Sequence, residues 1–208
     1  MSVSLVWATP DAENLIAYMA RVSNPENQDN PDYAKLIKYL IKHKHWSPFE
    51  MVNVCMEIET TRDIARQILR HRSFSFQEFS QRYATPTEFE YFDARLQDKT
   101  NRQNSIPTED RELIRLWGEK QQEMIRRAGD AYDWAVSNGI AKELARKVLP
   151  EGLTVSRMYM NGTLRSWIHF CDIRCSKETQ LEHREVAEEC RTILTGLFPN
   201  IFGNENGT

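Results

Sequence analysis

The sequence predicts a single helix-rich domain of the α/β (α+β-like) class over residues 1–208. Three observations support this class. Several long stretches carry apolar residues at helical spacing, and three short stretches alternate between polar and apolar residues as strands do. With 208 residues, the chain can bury a core without disulfides or metals. Since no repeat, low-complexity stretch or linker interrupts the chain, we expect one domain.

The first half of the chain alternates strands and amphipathic helices. The clearest strand has apolar residues at every second position, namely Val52, Val54, Met56 and Ile58. A helix that opens at Asp11 extends its apolar face to Val22. Another helix follows Thr61 and runs to about Arg72. In this half, strands are predicted at residues 3–7 and 51–59, and helices at 11–22, 32–44 and 61–72.

The second half is mostly helical, with one irregular segment and one strand. Residues 85–107 are polar and irregular, and long loops of this kind are usually functional or mobile. A long helix begins after Thr108 and stops at the Asn-Gly pair 138–139. The strand predicted at residues 154–160 leads into a turn at Asn161-Gly162. The remaining elements are a helix at 140–148, the strand at 154–160 and helices at 164–173 and 177–197.

Composition and charge exclude several classes of protein. The net charge of -3 and a pI near 6.0 give no overall basic field, so we expect no nucleic-acid partner. The four cysteines fit no disulfide framework, and we interpret them as free thiols of a reducing compartment. The N-terminus lacks a signal-peptide pattern, and no apolar stretch approaches the ~20 residues of a membrane span. The sequence therefore predicts a cytoplasmic protein without a membrane partner.

A basic stretch follows the central predicted strand. Arg62, Arg66 and Arg70 share one helix face by their i, i+4 spacing. By itself, such a triplet is typical of a solvated surface. The segment 70–83, however, combines guanidinium groups, hydroxyls, amides, a carboxylate and four aromatic rings. Guanidinium groups bind phosphate, amides read base edges and aromatic rings stack on heterocycles, so the segment also fits a nucleotide-like ligand.

Histidines and nearby polar residues form a second candidate cluster. His43 and His45 should lie on opposite sides of an extended chain, and no third ligand has a recognisable spacing. We therefore predict no metal site there. Ser47 and Glu50 fit either a capping arrangement or a functional one.

A later helix carries Arg165, His169 and Asp172 on one face. For Arg165 and Arg174, the structural interpretation is an ion pair with a carboxylate. Residues 143–150, taken alone, are the end of an amphipathic helix. The sequence has no Walker loop, no GxGxxG motif and no local triad signature, so any dinucleotide would bind outside a Rossmann framework.

Four segments together resemble the flavin-dependent thymidylate synthases. Arg70-His71-Arg72, followed by seven residues and then Ser80, matches the RHR-x7-S signature of that family. The other segments resemble its H-x-[ST]-P-F-E, ARxxLP and C-terminal nucleotide motifs. They are His45–Glu50, Ala145–Pro150, and Asn161–Phe170 with Arg174. The matches cover about residues 43–174 in the family's order.

The resemblance implies the reductive methylation of dUMP to dTMP. In that family, methylenetetrahydrofolate supplies the carbon, NADPH reduces FAD, and the flavin delivers the hydride. The resemblance also implies a helix-rich fold with a central, mostly antiparallel sheet that is not a Rossmann fold. It further implies a homotetramer with active sites between subunits.

The resemblance also implies roles for individual residues. Arg174 matches the family's activating arginine, which favours negative charge on the uracil ring so that C5 becomes nucleophilic. Substrate binding is implied for Gln67, Arg70, Glu78, Phe79, Ser80, Gln81, Arg82, Arg146 and Arg174. Flavin binding is implied for Ser47, Arg70, His71, Arg72, Glu78, Thr163, Leu164, Arg165 and His169. Glu50 is expected to support the flavin-binding residues.

Some of these assignments have alternatives. We interpret Ser80 as a binding residue, with a nucleophile as the alternative, because the sequence supplies no general base for it. His169 is expected to donate a hydrogen bond to the flavin, and its ring is either neutral or charged. His45 is expected to contact folate or flavin, with a structural role as the alternative. The rival function is a non-enzymatic nucleotide or RNA-binding module that uses the arginine face and neighbouring phenylalanines. The acidic pI and the matched distant segments disfavour it.

Overall fold

Strands and helices alternate along the part of the chain that the computed structural model describes, residues 1–84 and 88–203. The strands are β1 (Ser2–Ala8), β2 (Asn53–Thr61), β3 (Ser75–Glu78), β4 (Arg95–Gln97), β5 (Ser105–Pro107) and β6 (Val155–Thr163). The helices are α1 (Ala12–Ala20), α2 (Ala34–Lys42), α3 (Arg62–Ile68), α4 (Arg111–Ser137), α5 (Lys142–Ala145), α6 (Leu164–Arg174), α7 (Leu181–Leu197) and α8 (Pro199–Phe202). Short 3-10 turns lie at Pro25–Asn27, Ser47–Glu50 and Arg146–Val148.

Four strands form one sheet in the order β1-β2-β6-β3, and every pairing in it is antiparallel. Met56 of β2 lies opposite Leu5 of β1 and Met160 of β6. Met160 in turn lies opposite Phe76 of β3. β4 and β5 form a separate antiparallel hairpin. The prediction of a helix-rich chain with a central antiparallel sheet, outside the Rossmann class, is confirmed.

The core is built on the strand that the alternating pattern predicted most clearly. Its inward-facing side chains are fully buried, and they are Val52, Val54, Met56 and Ile58. Burying side chains of this size stabilises the fold by about 1.5–3 kcal/mol each. Trp167 of α6 is also fully buried, and its Nε1 donates to the Val54 carbonyl at 3.1 Å. Since α3, α6 and α7 all contribute to this core, their ends are held in fixed positions relative to one another.

The segment between α3 and β6 differs from its prediction. α3 ends at Ile68 rather than near Arg72, and residues 75–78 form β3, a strand too short to show a clear period in the sequence. The predicted turn at 161–162 is wrong, because both residues lie inside β6. A Cβ on Gly162 would lie 2.4 Å from the Phe74 ring. The glycine therefore permits the close approach of this ring.

The predicted irregular loop contains regular structure. Residues 95–107 form the β4–β5 hairpin, so the prediction is wrong there, while residues 85–87 of the predicted loop lie outside the described residues. α4 begins after Asp110 rather than after Thr108. The Asp110 carboxylate accepts from the backbone N–H groups of Glu112 and Leu113 at 3.1 and 3.0 Å, which caps the helix.

Two smaller predictions also fail at helix ends. Val22 lies beyond α1 and is 69% exposed, so its predicted place on the apolar face is wrong. The predicted helix at 140–148 is divided into α5 and a 3-10 turn. None of the helices in the described ranges combines the length and the apolarity that a membrane span requires.

Candidate functional site

The ends of α3 and α6 meet the start of α7 at a cluster of polar side chains. Arg174 donates from Nε to Nε2 of His71 at 2.9 Å. Gln67 donates from Nε2 to Oε1 of Gln180 at 2.7 Å, and its own Oε1 lies 3.3 Å from Nδ1 of His183. The rings of His71 and His183 are 6.2 Å apart, edge to face. We call these five residues the Arg174 cluster.

The two imidazoles of the Arg174 cluster are neutral. Burial, followed by the charges of Arg174, His169 and Arg70, lowers the pKa of His71 to about 4. A neutral ring keeps a lone pair on Nε2 to accept from Arg174. Burial, followed by Arg174 and His71, lowers the pKa of His183 to about 3. The guanidinium of Arg174 is therefore the cation of the cluster.

The guanidinium of Arg174 has no ion-pair partner among residues 1–84 and 88–203. The ion-pair interpretation is thus wrong for Arg174, and it is correct for Arg165, which pairs with Glu50 at 2.7 Å. The described part of the chain also gives no carboxylate partner to the other arginines implied to bind anions, Arg70, Arg72, Arg82 and Arg146. A guanidinium group without a carboxylate partner can bind a phosphate or an anionic ring.

Glu78 and Phe79 lie where β3 meets β6. The Glu78 carboxylate accepts from the Ser156 hydroxyl at 2.8 Å and from Arg62 at 3.4 Å. The backbone N–H of Phe79 donates to the Arg157 carbonyl at 2.8 Å. These contacts fix the end of β3, and within one chain the Glu78 carboxylate is already engaged by protein groups.

The loop after β3 carries the next three predicted residues. Ser80 is half-buried, and no described side chain forms a hydrogen bond with its hydroxyl. Gln81 is 3% exposed, and its Nε2 has no partner in the described ranges. Arg82 is exposed, and its guanidinium lies 5.5 Å from the centre of the Tyr83 ring. A buried amide without a partner costs about 1–3 kcal/mol, so Gln81 has capacity for a further polar contact.

The residues implied to bind flavin lie around the start of α6. The Thr163 hydroxyl accepts from the N–H of Ser166 and caps the helix, and the N–H of Leu164 donates to the Val52 carbonyl. Leu164 is fully buried, so its observed role is to anchor the helix. Arg165 and His169 are exposed on the same helix face, as predicted.

The other residues implied to bind flavin come from two separate segments. Ser47 is exposed in the 3-10 turn before β2, next to Glu50 and its partner Arg165. Arg70 and Arg72 are exposed on either side of half-buried His71. The segment after Arg72 is tied to α6, because Ser166 donates to the Ser73 carbonyl at 3.2 Å.

A separate basic group lies near the start of α3. Burial lowers the pKa of Arg62 against the opposing effect of Glu78, and Arg66 and Arg146 lower it further. Arg66 is ion-paired with Glu151, whereas Arg146 donates weakly to the Glu143 carbonyl at 3.4 Å. In the described ranges, no hydrogen bond or ion pair joins Arg82 or Arg146 to the Arg174 cluster. Arg146 thus lies near Arg62 at the start of α3, whereas the Arg174 cluster lies at the end of that helix.

The predicted geometry of His43 and His45 is wrong. Their rings are not on opposite sides, since the ring centres are 6.2 Å apart and both lie near Tyr39, at 4.3 and 6.0 Å. The left-handed backbone at Lys44 (φ 56°) lies between them. Within the described residues, no group of three His, Cys, Asp or Glu side chains has a metal-binding arrangement.

Residues 4–200 match the family model described as thymidylate synthase complementing protein. The chain belongs to this family. It is 51% identical to the flavin-dependent thymidylate synthase of Synechocystis sp. over 91% of this chain and 87% of that protein. It is 49% identical to a probable flavin-dependent thymidylate synthase of Paramecium bursaria Chlorella virus 1, over 91% and 88%.

A solved structure of similar fold is that of the UMP/dUMP methylase PolB from Streptomyces cacaoi bound with 5-Br dUMP. It superposes with a TM-score of 0.85 at 27% identity, over 97% of this chain and 93% of that one. The sequence-based identification as a flavin-dependent thymidylate synthase and its fold class are confirmed.

Two members of the Arg174 cluster, Gln180 and His183, belong to no motif of the flavin-dependent thymidylate synthases that the sequence displays. One signal in the sequence could have pointed to His183, because it falls on the buried face of α7 together with Val186 and Cys190. A histidine on such a face needs a polar partner. The sequence gives no sign that this partner is Gln67, 116 residues away.

A cavity of about 820 Å³ lies between α4 and the β4–β5 hairpin. Its walls are largely apolar, with Phe92, Leu113 and Trp117, and Gln180 and Glu182 also line it. It contains none of the sequence-predicted site residues, and it meets the Arg174 cluster at Gln180.

Proposed function

We propose that this chain catalyses the reductive methylation of dUMP to dTMP. The observation that carries the proposal is Arg174, a cation without a carboxylate partner in the described ranges and held at Nε by a neutral histidine. The family supports it, since relatives at 51% and 49% identity are named for flavin-dependent thymidylate synthesis.

Arg174 is proposed to act on the uracil ring. A guanidinium beside the ring stabilises negative charge as it develops there, which makes C5 nucleophilic without an enzyme nucleophile on C6. His71 orients this guanidinium by accepting from Nε, which leaves the terminal nitrogens for the substrate. Because His71 is neutral, it supplies an acceptor without repelling the cation.

The remaining nucleotide contacts follow from charge and side-chain chemistry. The arginines without carboxylate partners, Arg70, Arg82 and Arg146, would bind the phosphate. The amides of Gln67 and Gln81 and the hydroxyl of Ser80 would contact the base and sugar, with Glu78 and Phe79 fixing the loop. Ser80 is proposed as a binding residue, with a nucleophile as the alternative, because no described side chain forms a hydrogen bond with its hydroxyl as an activating base would.

The flavin is proposed to be FAD, and the residues around α6 fit an anionic dinucleotide. Arg72 is exposed without a carboxylate partner in the described ranges, and it lies in the segment that Ser166 ties to α6. The residues that would hold the flavin are Ser47, Arg70, His71, Arg72, Glu78, Thr163, Leu164, Arg165 and His169, supported by Glu50. When bound, the flavin supplies the hydride that completes the methyl group.

The complete site is proposed to form between subunits of a homotetramer. Within the described ranges of one chain, no hydrogen bond or ion pair joins Arg82 or Arg146 to the Arg174 cluster, and a second chain is proposed to complete the site. α4 also exposes apolar side chains by 38% to 53%, namely Leu113, Leu116, Trp117 and Met124. Burying them would favour association.

We further propose methylenetetrahydrofolate and NADPH as co-substrates, a cytoplasmic location and a single domain over residues 1–208.

The visible absorption spectrum of the purified protein tests this function. We expect a yellow protein with flavin bands that change when dUMP is added, and NADPH oxidation that depends on dUMP. A colourless protein that takes up no FAD would contradict the proposal. A flavoprotein that consumes NADPH but converts no dUMP to dTMP with methylenetetrahydrofolate would contradict the proposed reaction.

A further inference from the structure

We propose that Glu182, Gln180 and His183 are positioning residues that fix which way the side-chain amide of Gln67 faces. This inference rests on the proposed role of Gln67 in binding dUMP, and it adds the reason why that amide has a single orientation. None of the three belongs to the motifs from which the site was predicted.

The four side chains form a continuous line of hydrogen bonds. Gln180 donates from Nε2 to Oε2 of Glu182 at 3.0 Å. Gln67 donates from Nε2 to Oε1 of Gln180 at 2.7 Å, and its Oε1 faces Nδ1 of His183 at 3.3 Å. Glu182 is 5% exposed and is ion-paired with Arg95 of β4. The line therefore begins at a buried, paired carboxylate and ends at a buried imidazole.

The carboxylate gives the line its direction. An ionised carboxylate only accepts hydrogen bonds, so Gln180 must turn its NH₂ group toward Glu182 and its oxygen toward Gln67. Gln67 must then donate to that oxygen, because the opposite orientation would place two carbonyl oxygens against each other. The Oε1 of Gln67 consequently faces His183, which must donate.

His183 can make this donation in only one tautomer. Its ring is neutral, since its pKa lies near 3, and a neutral ring carries one N–H. If that proton is on Nδ1, Nε2 is left with a lone pair. The described residues indeed give buried Nε2 no hydrogen-bond partner. The His183 ring is fully buried, and its centre lies 5.9 Å from that of Phe170 and 6.2 Å from that of His71. Its nitrogens therefore cannot reach solvent water.

The fixed orientation matters for what Gln67 can offer a ligand. Each amide atom of Gln67 has one bond within the line, which leaves one N–H on Nε2 and one lone pair on Oε1. A pyrimidine edge or a sugar hydroxyl therefore meets a donor and an acceptor in a set order. A reversed amide would place an acceptor against an acceptor of the nucleotide, which weakens binding.

The test is a double-mutant cycle on the Kd for dUMP, measured by calorimetry on the flavin-loaded protein. His183→Phe keeps a flat ring but removes the donor, and we expect it to weaken dUMP about three- to tenfold. His183→Asn restores an N–H near the position of Nδ1 and should bring the Kd back to within about twofold. In a Gln67→Ala background, His183→Phe should have no further effect, because it acts through Gln67.

The cycle also separates this inference from the proposed function. If His183→Phe weakens dUMP equally with and without Gln67, or leaves the Kd unchanged, the positioning role is refuted. If Gln67→Ala binds dUMP normally in a protein that still forms dTMP, the inference fails while the proposed function stands. Should His183→Phe not retain its flavin, Gln180→Leu replaces it in the same cycle, because Gln180 is exposed and its loss breaks the same line.

Discussion

His183→Phe should also make the fold less sensitive to acid. In the folded protein, burial and the neighbouring Arg174 and His71 lower the pKa of His183 from 6.5 to about 3, so the ring stays neutral when the unfolded chain would bind a proton. The stability that depends on this neutral ring is complete above pH 6.5 and is lost as the pH falls toward 3. Between pH 7 and pH 5, the unfolded chain protonates this histidine and the folded protein does not. This difference lowers the free energy of unfolding of the wild type by about 2 kcal/mol, and the variant does not have this loss.

Urea unfolding at pH 7 and pH 5 measures this difference. We expect the free energy of unfolding to fall by about 2 kcal/mol less in His183→Phe than in the wild type. Val186→Ala is the matched control, because it truncates a buried apolar side chain of the same helix and should lose stability equally at both pH values relative to the wild type. If wild type and His183→Phe lose the same free energy between pH 7 and pH 5, the imidazole is not held neutral by the fold.

Two further predictions concern the elements that hold the site in place. Gly162→Ala should destabilise the protein by about 1–3 kcal/mol, because its Cβ would overlap the Phe74 ring. Gly129→Ala, in the middle of α4 with no atom near its Cβ, should instead stabilise by up to about 1 kcal/mol in the same thermal unfolding assay. Equal effects of the two changes would refute the close packing of Phe74. Asp110→Ala should cost about 0.5–2 kcal/mol by removing the α4 cap, and an unchanged melting temperature would show that the cap contributes nothing.

The parts of the fold with a regular pattern were predictable from the sequence. Every second residue from Val52 to Ile58 is apolar because one face of this strand is fully buried, and this pattern allowed β2 to be predicted. β3 could not be predicted, because four residues are too few to show an alternating pattern. Its pairing partner, residues 158–161, also lies far along the chain. Gly162 looked like a turn residue because local sequence does not show that the Phe74 ring packs against it.

The site was predictable where it depends on motif residues, and less so where it depends on contacts between helices. The RHR segment and Arg174 were identified by resemblance, and the structure joins His71 to Arg174 across 103 positions. The partners of Gln67 were not identified, since Gln180 and His183 lie 113 and 116 positions away and match no motif. Such pairings depend on how α3 packs against α7, which no local pattern encodes.

The most direct test of the account is dTMP formation by Arg174→Ala, followed by mass spectrometry of the nucleotide product together with the flavin-to-protein ratio. We predict that the variant keeps its flavin, because Arg174 is not among the residues proposed to hold the flavin. We also predict that methylation falls by at least about a hundredfold, because the charge that stabilises the activated uracil is gone. Near-normal dTMP formation by a flavin-loaded Arg174→Ala protein would contradict the account.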